Sequence, residues 1–223
     1  MPTERRPYRR EPEASRRDAL VAAALDLVGE GGVEAATVRA IALRAGVTPG
    51  LIRHYFTTKD DLIHAAYRSH MDAMTSRAMQ AATAAAADPA RRLAAFVVET
   101  LEPPSASATA VRKWAALLLG AMADAALQQV HVTSYLGFRD ALERLIADLP
   151  QRPAAADPRS ADPRPAAPRR AAIACNAVLD GLWLEASVVP DQFAPGEIVE
   201  IGLASVGAVL GLDLPDPRKE AEE

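Results

Sequence analysis

Two groups of residues have types and spacings that point to chemistry. The first lies between Thr37 and Lys59. On a helical wheel, Thr48, Leu51, Ile52, Tyr55 and Phe56 fall on one side, while Pro49, Gly50, Arg53 and His54 fall on the other. Glycine lets a backbone come close to a partner, and arginine offers a planar fork of donors that fits a guanine edge or a phosphate. Such a face suits a helix lying in the major groove of DNA. Thr37 offers a hydroxyl and backbone N–H groups to a phosphate. Lys59 stands at a helix start, where the macrodipole disfavours a cation and a nearby phosphate would offset the cost. The competing reading is a structural helix pair with a polar outer face.

The second group lies in the C-terminal two thirds. Val111, Trp114, Ala115, Leu118, Met122 and Ala125 form an apolar stripe, which reads either as core or as a pocket wall. Further on, Ile173, Ala177, Leu184 and Val188 fill one face of a helix, and Cys175, Leu179, Leu182 and Ala186 fill another. Between them run Asn176, Asp180, Trp183 and Ser187. A carboxylate and an indole one turn apart suit a cationic or amine ligand. The alternative pairs Asp180 with an arginine such as Arg112 and makes it part of the core. His131 and Tyr135, at i and i+4, line the pocket or sit at its edge. The candidate ligand residues are therefore Trp114, Leu118, Met122, Tyr135, Asn176, Asp180 and Trp183.

No nucleophile–base pair, paired acid and base, or phosphate-binding loop appears, so no enzyme and no cofactor is expected. The four histidines (His54, His64, His70, His131) lack metal-site spacing. The single cysteine, Cys175, excludes an intramolecular disulfide framework and reads as inert packing. Apolar stretches break before a membrane span is reached, and the arginine-rich start leads into no secretory apolar core. A cytoplasmic protein without a membrane partner is expected. The net charge of −4 hides an asymmetry. Residues 1–60 hold ten basic and eight acidic side chains, the remainder fifteen and twenty-one. A basic front on an acidic body can touch nucleic acid locally.

The elements that must position these residues are helices. Alanine is roughly a fifth of the chain and aromatics only 4%, a composition that favours helix over strand. Residues 1–14, with three prolines, read as a flexible basic arm. A first helix is expected over 15–30, stopped by Gly31 and Gly32. Thr37 caps a second that ends at Gly46, and Thr48 with Pro49 opens a third that closes near Phe56. Thr58 and Asp61 form a capping-box variant for a fourth, which runs to about residue 86. Further helices are expected at about 89–102, 108–123, 126–148, 169–188 and 195–210. Six prolines in 150–168 mark a mobile loop, and 213–223 reads as a frayed tail. The result is an all-α chain of about nine helices. A helix-turn-helix domain spans 15–60, and a ligand-binding and dimerisation domain spans 61–212.

The wording of the first group carries a resemblance. Thr37, Ile41-Ala42, Ala45-Gly46-Val47, Gly50, Tyr55-Phe56 and Lys59 with Leu62 resemble the DNA-binding domain of TetR-family transcriptional regulators. That resemblance implies an all-helical homodimer with an N-terminal helix-turn-helix and a C-terminal ligand-sensing domain. It places DNA contacts on Thr37, Thr48, Pro49, Gly50, Arg53, His54, Tyr55 and Lys59. Many family members carry tyrosine where this chain has Arg53, and Tyr55 would offer only its hydroxyl. The segment Asp180-Gly181-Leu182-Trp183-Leu184 resembles the BetI-like branch, where a choline-responsive repressor is found. By the same resemblance, the helices around 169–188 and 195–210 form the dimer seam, and their small residues Gly202, Ala204, Ser205, Gly207 and Ala208 suit close approach. The implied function is a repressor that binds operator DNA and is released by a small-molecule effector, either cationic or lipophilic. The alternative is a helical small-molecule-binding protein or enzyme whose helix-turn-helix is structural.

Overall fold

Ten α-helices and one 3-10 turn make up the described residues, with no strand among them. The computed structural model describes residues 13–85, 87–150 and 168–220. The arm over 1–12, the proline-rich 151–167 and the last three residues of the tail lie outside the described residues. The helices are α1 (Glu13–Ala35), α2 (Val38–Arg44), α3 (Pro49–Tyr55), α4 (Lys59–Ala84), α5 (Pro89–Leu101), α6 (Ala108–Ala123), α7 (Ala125–Ala147), α8 (Pro168–Val188), α9 (Glu197–Leu210) and α10 (Pro217–Glu220).

Side-chain caps set most helix starts. Thr37, Thr58, Asp88, Ser107 and Asp124 each accept a backbone N–H of the first turn. The Thr58–Asp61 capping box is complete, with both bonds at 3.0 Å. Three ends differ from the sequence expectation. Helical geometry breaks at Gly31 and Gly32, but one more turn follows to Ala35. The start of α9 is Glu197 rather than Pro195, because Gly196 takes the left-handed backbone (φ +82°) and Glu197 accepts Ala194 N at 2.7 Å. The expected frayed tail holds α10, where Arg218 is gripped by Asp216 and bonded to Glu102 at 3.1 Å. The hydrogen bonds from Arg218 hold the Asp216 carboxyl below its usual range.

Two cores organise the helices. The first joins α1 to α4 with α6 and the start of α7, through Leu20, Ile41, Ile52, Leu62, Tyr67, Trp114 and Leu117. The second joins the end of α4 to α5, α7, α8 and α9, through Phe96, Leu142, Leu179 and Val206. The α1–α6 seam is very close. A Cβ at Gly29 would stand 2.7 Å from Lys113 Cγ, and one at Gly120 would stand 2.8 Å from Val33 Cγ2. Lys113 closes the seam with a 2.7 Å ion pair to Asp26.

Contrary to the sequence expectation, α8 is long and apolar enough by composition to cross a membrane. It is interrupted by Asn176, Asp180 and Glu185, and Ala172, Cys175 and Leu179 face the second core. A core helix of a globular protein has this same composition.

Candidate nucleic-acid interface and effector site

The turn between α2 and α3 follows from local chemistry. Val47 N bonds Ala42 O at 2.9 Å and Gly46 N bonds Leu43 O at 3.2 Å, with Gly46 at φ +65°. This is a Schellman closure, which a residue with a Cβ adopts only with strain. Helix α3 then anchors through Ile52 and Phe56, buried against the first core. The Arg17 guanidinium lies 5.0 Å from the centre of the Phe56 ring.

That anchoring leaves Pro49, Gly50, Arg53 and His54 exposed, as the wheel predicts. Thr37 is also exposed. Its oxygen accepts Ala40 N at 3.2 Å, which leaves the hydroxyl proton free to donate. Thr48 corrects the wheel, because it is exposed rather than inward. Its backbone is extended (φ −82°, ψ 149°), so helical spacing does not govern it, and its side chain makes no cap bond. Tyr55 is half-buried, with its ring edge-on to His54 at 5.1 Å. Lys59 is half-buried at the start of α4, where Asp60 and Asp61 complement the helix dipole beside it. Among the described residues Arg53 and Arg39 have no ion-pair partner, whereas Arg44 is held by Glu30 at 2.7 and 2.8 Å. Arg39, exposed on α2, is a cation that the sequence expectation left out.

The sensor candidates are brought together from three helices. Tyr135 of α7 donates its hydroxyl to Asp180 Oδ2 at 2.8 Å. Asn176 Nδ2 donates to the same oxygen at 2.8 Å and to the Tyr135 hydroxyl. The His131 ring stacks on Tyr135 at 5.0 Å, and its Nδ1 pairs with the hydroxyl of Tyr67 on α4. Burial raises the Asp180 carboxyl above its ordinary range, against the two hydrogen bonds it accepts. Among the described residues no arginine or lysine forms an ion pair with it, and Arg112 instead bonds Thr109 at 3.2 Å. Burial also pushes the His131 ring down and the Tyr67 and Tyr135 hydroxyls up.

Trp114 and Trp183 form a second pair, edge to face at 5.4 Å, and both are buried. The Trp183 indole donates to Ser105 O at 3.0 Å. Leu118 is half-buried against the first core. Met122 does not join this interior. It is 78% exposed in the single chain, because α6 turns Val111, Trp114, Leu117 and Ala121 inward instead. Tyr67 is a member that the sequence did not mark, since one tyrosine on an alanine-rich helix carries no spacing signal. His70, one turn further along α4, is buried, and its Nε2 has no partner among the described residues. Burial pushes it down to about 4, helped by the charges of Lys113 and Arg77.

Comparison with known proteins agrees with the all-helical architecture. The family model for bacterial regulatory proteins of the tetR family matches residues 20–66. The model for the C-terminal part of BetI-type transcriptional repressors matches residues 89–211. The HTH-type transcriptional regulator BetI of Burkholderia ambifaria is 32% identical over 174 residues, covering 78% of this chain and 82% of the relative. A putative transcriptional regulator from Pseudomonas aeruginosa PAO1 has a similar solved structure, with 29% identity and a TM-score of 0.79 over 91% of this chain and 93% of that one. A transcriptional regulator from Rhodococcus is 26% identical with a TM-score of 0.69, over 87% and 96%.

Proposed function

The chain belongs to the TetR family of bacterial transcriptional regulators, with a BetI-type C-terminal part, and from that premise we propose that it is a repressor released from operator DNA by a small cationic effector. The observation that carries the DNA half is the outward face of α3, where Arg53 stands without an ion-pair partner among the described residues. Thr37, Thr48, Pro49, Gly50, His54, Tyr55 and Lys59 surround it as contacts, with the two threonines and Lys59 reaching phosphates and Arg53 reaching a base edge or a phosphate. The observation that supports a cationic effector is Asp180, a carboxyl partly drawn from water with no lysine or arginine ion-paired to it among the described residues. Trp114, Leu118, Tyr135, Asn176 and Trp183 belong to the same interior. A lipophilic effector is the second reading, and the apolar Trp114–Trp183 pair is what favours it.

Two copies joined through α8 and α9 complete the proposal. Ile173, Ala177, Gly181, Leu184 and Val188 form an exposed stripe along α8, and Ala204 and Ala208 are exposed on α9. Gly202 and Gly207 serve a different purpose. They let α9 approach Leu101 of α5 and the backbone of Leu212. Release is a shift of population: an effector that binds better when the two α3 helices are apart lowers operator affinity by its differential affinity. Half-sites must lie about 34–36 Å apart, so a few ångströms of added separation suffices.

The test is a titration with the DNA upstream of the coding sequence, followed by release with small ammonium ions. Wild-type protein binds with a clear salt slope and is released. Asp180→Asn binds the DNA equally well and resists release, losing about 2–5 kcal/mol of ammonium affinity. A salt slope near zero, or undiminished release of Asp180→Asn, overturns the reading.

A further inference from the structure

The hydrogen-bond arithmetic around Asp180 leaves a surplus of one kind. Asn176 is 1% exposed, so every group it carries needs a partner inside the protein. Its amide nitrogen has two donors, and they reach the Tyr135 hydroxyl and Asp180 Oδ2. The Tyr135 hydroxyl proton goes to Asp180 Oδ2 as well. All three donors of the cluster are thus satisfied within it. Asn176 Oδ1 has no partner among the described residues. Turning the amide over would not help, because the oxygen would then face the Asp180 carboxylate and the donors would be lost. The unfilled capacity is therefore acceptor capacity, at Asn176 Oδ1 next to a half-buried carboxylate. Two neighbouring acceptors, one of them charged, call for a partner that carries both positive charge and an N–H.

We infer that Asn176 determines effector specificity, accepting a hydrogen bond from an ammonium N–H at Oδ1 while Asp180 takes the charge. The site then selects protonated primary, secondary or tertiary amines over quaternary ammonium ions. This rests on the cationic reading of the site proposed above and narrows it. A quaternary ammonium matches the charge of Asp180 but leaves the Asn176 oxygen buried and unpaired. An amine that keeps one N–H satisfies both.

The test is a methylation series followed by titration calorimetry on the full chain at pH 7. The probes are hexylamine, N-methylhexylamine, N,N-dimethylhexylamine and hexyltrimethylammonium, with 1-hexanol as the uncharged control and hexanoate as the anionic one. The first three ammonium ions bind within a few-fold of one another. The last methylation, which removes the final N–H, weakens binding by about tenfold or more. Asn176→Leu erases that last step while keeping the preference for ammonium over 1-hexanol. If the leucine variant does not fold, the wild-type series decides alone. A smooth trend through the series, tighter binding of the trimethyl ion, or a last step that persists in Asn176→Leu overturns the inference. A water molecule filling the Asn176 oxygen would give the smooth trend. Binding of 1-hexanol or hexanoate with no ammonium binding overturns the inference together with the cationic reading. Ammonium binding without the step overturns the inference alone.

Discussion

The candidate DNA-facing end and the candidate sensor interior use polar residues in opposite ways. Around α3, Arg53, His54, Thr37 and Thr48 are exposed, and the apolar residues beneath them do the anchoring. In the interior, Tyr67, His131, Tyr135, Asn176 and Asp180 are wholly or partly withdrawn from water and hydrogen-bond to one another. An exposed polar residue is free to meet a partner and contributes little to the fold. A buried one is tied to the fold and becomes sensitive to protonation and to shape. Changes at the two ends should therefore separate into effects on DNA affinity and effects on stability.

The largest such effect is expected from acid. His70 is neutral in the fold down to about pH 4, whereas in the unfolded chain it takes up a proton below about 6.5. Its folded value is depressed, so its contribution is present above 6.5 and is lost as pH falls towards 4. In full this amounts to about 3 kcal/mol, from the size of the shift. Urea midpoints measured between pH 7 and 4 should show the slope in wild type and lose most of it in His70→Leu. An unchanged slope would mean that other interior groups govern acid stability.

Next comes Arg53→Ala. It should weaken operator binding by about 1–3 kcal/mol while moving stability by no more than about 0.5 kcal/mol. Anisotropy titrations paired with thermal melts check both halves. A base-reading Arg53 also relaxes sequence preference at one position, and a phosphate-binding one lowers the salt slope instead. The smallest effect tests where the comparison blurs. Thr58 belongs to the DNA-facing end but is part of its scaffold, so Thr58→Ala should cost about 1 kcal/mol of stability through the lost cap. DNA affinity should follow only as far as α4 frays, and a melt that does not move would show that Asp61 alone holds the helix start.

The same contrast explains what could be read from the sequence. The helix-turn-helix lies within about 25 residues, and its caps, glycine turn and buried face are set by neighbours three to five positions away. Those signals survive in a linear reading. The exception, Thr48, failed because a wheel assumes helical backbone and a cap residue is extended. The candidate sensor cluster gathers residues from positions 67 to 180, and no local rule joins Tyr67 to His131. Asn176, Asp180 and Tyr135 stand out as candidates in the sequence, but nothing local foretells their mutual bonding or the lack of an arginine partner among the described residues. Met122 shows a second limit. Helix α6 reads Leu117-Leu118-Leu119 with alanines around it, so beyond Lys113 every face is apolar and periodicity cannot choose the buried one. The close α1–α6 seam at Gly29 and Gly120 chooses it.

Cys175 is fully buried, and burial pushes its thiol up to about 11. At pH 7 only roughly one thiol in ten thousand would be ionised, even with free access. Since it is the chain's single cysteine, the native protein is already a silent background for thiol labelling. Leu43, 84% exposed on α2, is a convenient place for a tag. A spin label placed there through Leu43→Cys would put one reporter on each protomer of a homodimer. The distance between the two reporters then becomes a ruler for the gap between the DNA-reading ends, legible in solution with and without an amine.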